Sequence, residues 1–478
     1  MILTKVFKGL LLIISVCVLS VGNIANAKYA EHDYVVVGAG AAGLSAAFTL
    51  HQSNENYIVF EKNNRAGGIA ENGRRGRFHY AKGTEYLGEP YGALANIIEE
   101  LEIPMVEIPM PMDASHFEGK AYIGDHNISQ LTAKQAGNQN FIHFLKMLKE
   151  AIDNESVEHW KQLDNITAKQ WLDDNEISTF IQRRYNVMAR GLFGANLNDI
   201  SALSLIPEAA FDYVGASSFE DLFQPSESSG SWTSIQGIAA ITDAIASELG
   251  EHIKYNSTVS RITKHGSKFK VMVNNKGTES VVIADKVIVA TPSPVTQWIA
   301  KDVLTTRQEE LLSEVEYAQY ITVALFSETP IFNKAFDLAI LDGDIITDLY
   351  DATWVERHYT PGLKDVKEYI ASAYLAPKGV SDKSLMTLSD GEIMNIVETE
   401  LATIVPGIKS KIKGYDIKRF MYAYPVMSPG AYGRLNELKK SFDGIYLAGD
   451  YIEYPTIESA FNSGADAANK AMKHARGK

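Results

Sequence analysis

The chain of 478 residues is long enough to form two domains that share a cleft. Its formal net charge of −14, without any block of basic residues, argues against a nucleic-acid partner. Its single cysteine, Cys17, excludes a disulfide within the chain.

The first residues have the pattern of an export signal. Lys5 and Lys8 precede an uncharged apolar stretch, Leu10–Val21, and Ala25-Asn26-Ala27 fits the A-x-A cleavage pattern. We therefore expect a signal peptide over residues 1–27 and a secreted or periplasmic mature protein without a stable membrane span. An uncleaved anchor is the alternative, although the apolar stretch is short for a spanning helix. Because Cys17 lies in this segment, the mature chain would carry no thiol nucleophile or thiolate metal ligand.

Residues 34–61 have the pattern of a dinucleotide-binding unit. Tyr34–Val37 is an apolar, β-branched run typical of a buried strand. The glycines that follow at G-x-G-x-x-G spacing are Gly38, Gly40 and Gly43, and the helix that they open starts with Ala41 and Ala42. A second apolar run, Tyr57–Phe60, ends in Glu61, which is placed to accept hydrogen bonds from an adenosine ribose. This order of elements predicts a bound dinucleotide whose pyrophosphate lies at the helix N-terminus.

The residues after Glu61 point to FAD as that dinucleotide. Lys62 leads into the basic, glycine-rich loop Arg65-Ala66-Gly67-Gly68. Arg65 is placed to pair with a phosphate, and Gly67 and Gly68 let the backbone pass close to the cofactor.

The pattern then changes twice along the chain. From about residue 106 to 230 it is helical, as in Phe141–Ile152, Thr167–Asn175 and Ser178–Phe193, with Pro207 and Pro225 breaking it. A helix over Trp232–Leu249 and strands near residues 253–262, 269–273 and 287–290 return to the cofactor fold. Strands at 320–326, 338–341 and 369–375 predict a second sheet, before the chain returns to the cofactor near Asp416.

Near the end of the chain, the apolar strand Ile445–Leu447 closes on Gly449-Asp450, and residues 456–464 open the last helix. Together with the N-terminal glycine motif, acid and Arg-x-Gly-Gly loop, these residues resemble the flavin-containing amine oxidoreductase superfamily, which includes monoamine and polyamine oxidases, L-amino-acid oxidases, protoporphyrinogen oxidase and carotenoid desaturases. The resemblance implies an α/β fold in which a Rossmann-type, glutathione-reductase-like FAD-binding domain is interrupted by an α+β substrate domain. The FAD-binding domain would comprise residues 28–105, 231–305 and 416–478, and the substrate domain residues 106–230 and 306–415.

The resemblance also assigns FAD contacts by position. Gly38, Gly40, Gly43, Glu61 and Arg65 correspond to residues that bind the ADP half. The other positions that it implies are Gly83 and Thr84 near the flavin ring, Val259 with its backbone on adenine, Asp450 near the pyrophosphate and ribityl chain, and the N–H of Ile457 at the flavin N1–C2=O edge. Ala431 stands at the position of the flavin-linking cysteine of some relatives, which implies non-covalent FAD.

The catalytic positions depart from the amine-oxidising pattern. Thr322 stands where most such relatives have a lysine that holds a water at flavin N5. Tyr432 corresponds to one of the two aromatic residues that face the flavin in monoamine oxidases, and Thr456 replaces the other, so that Tyr451 or Tyr454 would have to fill the space. The acid–base candidates near these motifs, each of which also has a structural interpretation, are His79, Glu85 and Glu453.

Three functions remain open at this stage. The first is an exported FAD-dependent oxidoreductase that passes a hydride from a C–N or C–C bond of a small organic substrate to flavin N5, with O2 reoxidising the flavin. The second is a flavin-dependent desaturase or double-bond isomerase that acts on a polyene or fatty-acid-like substrate. The third is a non-catalytic FAD-binding protein. No metal-ligand spacing occurs in the sequence, and the oligomeric state is left open.

Overall fold

The computed structural model describes residues 29–476, so the predicted signal peptide lies outside the described residues. The strands, in chain order, are β1 (Ala30–Val37), β2 (Tyr57–Phe60), β3 (Asn72–Arg75), β4 (Phe78–Ala81), β5 (Met105–Glu107), β6 (Asp113–Phe117), β7 (Lys120–Ile123), β8 (Trp232–Ser234), β9 (Ile253–Lys254), β10 (Ser257–His265), β11 (Lys268–Asn275), β12 (Thr278–Val289), β13 (Tyr317–Ser327), β14 (Asp337–Ile340), β15 (Ile346–Asp351), β16 (Tyr369–Leu375), β17 (Ile412–Pro425) and β18 (Ile445–Leu447).

The α-helices, in chain order, are α1 (Ala41–Gln52), α2 (Gly92–Glu100), α3 (Asp125–Ala136), α4 (Asn138–Asp153), α5 (Val157–Asp164), α6 (Ala168–Asp174), α7 (Thr179–Phe193), α8 (Ala202–Phe211), α9 (Ala239–Leu249), α10 (Ser293–Ala300), α11 (Thr306–Ser313), α12 (Trp354–Tyr359), α13 (Asp390–Leu401), α14 (Ile408–Lys411), α15 (Ala431–Leu438) and α16 (Ile457–Arg476). Within the described residues, no helix is both long and apolar enough to cross a membrane.

The first sheet is built around the glycine-motif strand. Its order is β10-β11-β12-β1-β2-β9, with β18 paired to β12, and β1 runs parallel to both of its neighbours. Helices α1, α9 and α16 cover one face around Val36 and Phe461, while α10 and α11 cover the other around Val35 and Leu311. An uninterrupted apolar run such as Tyr34–Val37 suits this central position because both of its faces are buried.

The second sheet has the order β17-β13-β16-β15-β14-β6-β7. One face carries Leu338 and Leu349 and packs against α13. The opposite face carries Thr322, whose hydroxyl donates to the carbonyl of Lys82 at 2.8 Å. This contact joins the second sheet to the segment that follows β4, and it places that face toward the predicted flavin-proximal loop.

Three sequence-based element boundaries were wrong. The helix predicted from Trp232 begins at Ala239, because residues 232–234 pair as β8 with β5 and Gly237 turns the chain at φ +87°. Pro207 lies inside α8, whose buried residues hold the helix together while its ring removes one backbone donor. Asp416 lies within β17, opposite Ala324 of β13, so the second sheet extends to Pro425.

Candidate functional site

Two glycines of the G-x-G-x-x-G motif, Gly38 and Gly43, leave no room for side chains between β1, α1 and β12. Gly38 has φ +99°, and a Cβ atom there would lie 2.5 Å from the carbonyl oxygen of Ala290. A Cβ atom on Gly43 would lie 1.9 Å from the carbonyl oxygen of Gly38. The N-terminus of α1 has no side-chain cap and no acidic residue in its first turn. It therefore presents N–H groups and the positive end of the helix dipole to an anion.

The last helix closes against this motif. A Cβ atom on Gly464 would lie 2.0 Å from the carbonyl oxygen of Ala42, and the Ser45 hydroxyl donates to the carbonyl of Phe461 at 2.6 Å. The N–H of Gly449 donates to the Ser463 hydroxyl at 2.9 Å. Residues 38–43 and 449–464, which are remote in sequence, therefore form one cradle, to which Asp450 and Ile457 belong.

Glu61 is held at the end of β2 by the glycine turn. Its Oε2 atom accepts a hydrogen bond from the N–H of Ala39, and its Oε1 atom accepts one from the N–H of Asn63, both at 2.8 Å. The side chain is 6% exposed, whereas the neighbouring Lys62 is exposed. The predicted adenine contact, Val259, is buried in β10 beside this strand.

The guanidinium of Arg65 donates hydrogen bonds to its own glycine-rich loop and to Glu71. Its Nη1 atom donates to the carbonyls of Ala66 and Ala70, and its Nη2 atom donates to the carbonyl of Gly68 and to the carboxylate of Glu71. These hydrogen bonds fix the guanidinium beside the loop, and its pairing with a phosphate stays a prediction.

The cradle fits FAD. A Cβ atom on Gly40 would meet only the Cα atom of Gly68, at 3.8 Å, so the surface between these two glycines is open where the motif requires close backbone approach. An uncapped helix start lies beside it, and Glu61 stands at the end of the next strand. The residues that would hold FAD are those predicted from the motifs, with Gly83 and Thr84 at the entrance to the second sheet.

Thr322 lies in a charged network that sequence reasoning missed. It is buried opposite Lys418 on the neighbouring strand β17. The Lys418 ammonium lies 2.6 Å from a carboxylate oxygen of Glu71, and that of Lys82 lies 2.9 Å from Asp416. Burial tends to raise the pKa of Glu71, but these lysines and Arg65 outweigh burial and lower it. Two lysines, Lys82 and Lys418, therefore belong to segments that contact Thr322, although that position itself carries a threonine.

Glu85 lies deep in a cleft beside the predicted flavin-proximal loop. The Tyr374 hydroxyl lies 2.9 Å from Glu85 Oε1 and 2.6 Å from the carbonyl oxygen of Gly83. Burial raises the pKa of Glu85 to about 8. His79 lines the same cleft, with its Nδ1 atom 2.6 Å from Glu356. Glu85 therefore combines access to the cleft with a pKa near neutrality, as general acid–base chemistry requires.

The predicted aromatic residue Tyr432 has a partner in Tyr454. Their ring centres are 6.4 Å apart with a tilt of 31°, and the Tyr454 hydroxyl donates to Glu208 at 2.8 Å. Thr456 instead accepts a hydrogen bond from the N–H of Ser459 and so caps α16. Tyr451 is buried in the core of the first sheet, and Glu453 faces Lys439 and Lys470.

We expect the cofactor-free protein to lose stability as the pH rises from 5 to 8. Burial raises the pKa of Glu85 to about 8 and the pKa values of Asp113 and Asp450 to about 7. In this range the folded state therefore keeps protons that the unfolded state releases, so the free energy of unfolding falls with pH. Melting temperatures at the two pH values check this, and the Glu85→Gln variant should show a smaller decrease. A melting temperature that is equal or higher at pH 8 would contradict the expectation.

Several known proteins are similar to this chain in sequence or in fold. AofH of Mycobacterium tuberculosis, a provisionally assigned flavin-containing monoamine oxidase, is 26% identical over 273 residues, which cover 54% of this chain and 57% of AofH. An amine oxidase of Oncorhynchus mykiss is 23% identical over 54% of this chain and 50% of its own length. The chain thus spans little more than half the length of these curated relatives.

Solved structures match more of the chain. Cyclohexylamine oxidase from Brevibacterium oxydans has a TM-score of 0.73 at 18% identity and covers 93% of this chain and 99% of its own. A fatty acid isomerase from P. acnes that produces CLA has a TM-score of 0.66 at 15% identity, covering 92% of this chain and 98% of its own. The predicted fold class is confirmed. The family model described as flavin containing amine oxidoreductase matches residues 41–472, and the chain therefore belongs to the flavin-containing amine oxidoreductase family.

Proposed function

We propose that this chain is an FAD-dependent oxidoreductase that oxidises a small amine at its C–N bond. The observation that carries the proposal is Glu85, which lies in the cleft beside Gly83, within hydrogen-bond distance of Tyr374, and has no ion-pair partner among the described residues. A carboxyl group with a pKa near neutrality can exchange a proton with an amine. Non-covalent FAD follows from Ala431, which stands at the position of the flavin-linking cysteine.

The chain's own residues have separate tasks in this reaction. FAD, when bound, supplies a two-electron acceptor that takes a hydride at N5. The amine loses a hydride from its α-carbon and a proton from its nitrogen, which gives an imine, and O2 takes both electrons and two protons to give hydrogen peroxide. In its ionised form, which predominates above a pH of about 8, Glu85 can take the proton from the amine, and the N-terminus of α16 at Ile457 would stabilise negative charge on the reduced ring.

A desaturase or double-bond isomerase is the second candidate, and the fold of the P. acnes fatty acid isomerase favours it. The curated relatives named above are amine oxidases by sequence, whereas the isomerase is similar in fold at 15% identity, and this ranks the second candidate below amine oxidation.

Export remains part of the proposal on the strength of the signal pattern in residues 1–27. N-terminal sequencing of protein recovered from the host tests it. A mature N-terminus at Lys28 supports export, and an intact N-terminus in a cytoplasmic fraction contradicts it.

Anaerobic titration of the FAD-loaded protein tests the reaction. We expect an amine to bleach the flavin absorbance, and admission of air to restore it with release of peroxide. Polyunsaturated fatty acids and polyenes serve as the matched panel. A flavin that stays oxidised with every amine but bleaches with, or rearranges, an apolar chain would contradict amine oxidation and support the second candidate.

A further inference from the structure

Five charged side chains connect the glycine-rich loop beside the FAD cradle to the second sheet. Glu71 Oε2 accepts a hydrogen bond from the Arg65 guanidinium and lies 2.6 Å from the Lys418 ammonium. The Lys82 ammonium lies 3.5 Å from Glu71 Oε1 and 2.9 Å from Asp416 Oδ2. These contacts form one continuous cluster. We call Arg65, Glu71, Lys82, Asp416 and Lys418 the charged network.

The charged network carries one positive charge in excess, because it contains three cations and two carboxylates. Burial tends to raise the pKa values of Glu71 and Asp416, but hydrogen bonds and the neighbouring lysines lower both. Burial tends to lower the pKa of Lys82, but the two acids raise it. The side chains of Glu71 and Lys82 are 16% and 22% exposed. Solvent therefore screens the excess charge less than it would on an open surface.

The charged network surrounds the residue that precedes the predicted flavin-proximal pair Gly83-Thr84. The N–H of Lys82 donates to the carbonyl of Glu71 at 2.8 Å, and the carbonyl of Lys82 accepts from the Thr322 hydroxyl at 2.8 Å. Both the backbone and the ammonium group of Lys82 are therefore fixed, and Gly83 follows directly.

Gly83 itself packs between the two segments that supply the network. A Cβ atom there would lie 2.3 Å from the carbonyl oxygen of Ile69 and 3.2 Å from the ring of Phe420. Ile69 directly follows the glycine-rich loop, and Phe420 follows Lys418 by two residues on the same face of β17. A flavin ring that contacts Gly83 would therefore have the charged network directly beside it.

The acid on the other side of Gly83 does not cancel the excess charge at neutral pH. Burial raises the pKa of Glu85 to about 8, so its protonated form predominates at pH 7. Below that pKa, the flavin-proximal segment from Lys82 to Glu85 therefore has a lysine at one end and a neutral carboxyl group at the other.

We propose that the charged network sets the midpoint potential of the bound FAD, a role that requires the cofactor but no particular substrate. Reduced flavin carries a negative charge that oxidised flavin lacks, and nearby positive charge favours the form that carries it. Lys82 and Lys418 therefore raise the potential, whereas Glu71 and Asp416 lower it. The sign of each contribution follows from the sign of the side chain's charge.

Midpoint potentials of FAD-loaded variants test the proposal, measured by dithionite titration against a reference dye without any amine. We expect Lys418→Met to weaken the binding of reduced FAD relative to oxidised FAD about tenfold or more, which lowers the potential by about 30 mV or more. Glu71→Gln should raise the potential by a similar amount. Lys413→Met is the matched control and should leave the potential unchanged, because Lys413 lies on the same strand, is exposed and forms no ion pair among the described residues.

The opposite signs separate an electrostatic role from a structural one, because a network that only held the fold together would shift both potentials alike when broken. If Lys418→Met does not fold or retains no FAD, Lys82→Met and Asp416→Asn carry the same comparison, with a lower and a higher potential expected. Shifts of one sign, or no shift in either variant of a pair, would overturn the proposal. A protein that oxidises no amine still gives these potentials, so a failure of the proposed function would be seen separately.

Discussion

The Gly43→Ala variant is expected to fold but to lose its FAD. The added methyl group would lie 1.9 Å from the carbonyl oxygen of Gly38, and both groups are backbone or backbone-attached, so no side chain can move aside. The helix must therefore shift away from β1, which displaces the N–H groups of its first turn from the pyrophosphate. Overpacking of this kind costs about 1–3 kcal/mol, which corresponds to binding weaker by about fivefold to about 150-fold if the whole cost falls on the bound state.

The ratio of flavin to protein absorbance after purification and dialysis measures the effect. Gly391→Ala is the matched control, because Gly391 lies in α13 and a Cβ atom there would meet nothing within 4 Å. The control should retain FAD and gain slight stability from the better helix former. A Gly43→Ala protein with full flavin content would show that α1 does not need to approach Gly38 this closely.

Replacement of Arg190 by methionine is expected to destabilise the protein by about 3–5 kcal/mol. Its Nε atom donates to the carbonyl of Pro377 at 2.9 Å, and its Nη2 atom donates to the carbonyls of Asp344 and Ala376 at 2.8 Å. The side chain thereby fixes α7 to the end of β16, and its removal leaves carbonyls in the interior without a donor.

Urea denaturation, followed by circular dichroism, measures this change in the free energy of unfolding. Arg183→Met serves as the control, because Arg183 lies on the same helix but is exposed, and it should change stability by less than about 1 kcal/mol. If both variants lost stability equally, the carbonyl contacts of Arg190 would not be the cause.

The features that sequence reasoning predicted well are local ones. The G-x-G-x-x-G glycines and Glu61 lie within one strand–helix–strand unit, where spacing fixes geometry, and the structure joins Glu61 to the glycine turn through Ala39. The Gly449-Asp450 strand end and the start of α16 are also local patterns, and the structure joins Gly449 to α16 through Ser463 and α16 to α1 through Phe461 and Ser45.

The features that it missed depend on contacts between distant strands. Lys418 follows Thr322 by almost a hundred residues, and only the register of β13 with β17 sets them side by side. Thr456 is different, because a threonine just before the first turn of a helix is a local capping signal in the sequence. The sequence-based interpretation treated Thr456 only as the replacement of an aromatic residue. The contacts of Arg65 with the carbonyls of its own loop were also not predicted, because the motif suggests only an anion as its partner.

The contact between Ser45 and Phe461 has a consequence for how the protein acquires its cofactor. These residues are 416 positions apart, and the glycine turn is complete only when Gly464 lies against Ala42. When β1 and β2 have been synthesised, residues 449–464, which complete the surface that would hold FAD, have therefore not yet been made. Contacts this distant in sequence form late, because the intervening chain must first be ordered. Cofactor capture must therefore wait until residues 449–464 have been made and lie against α1, and a chain translocated unfolded would meet its FAD only on the far side of the membrane.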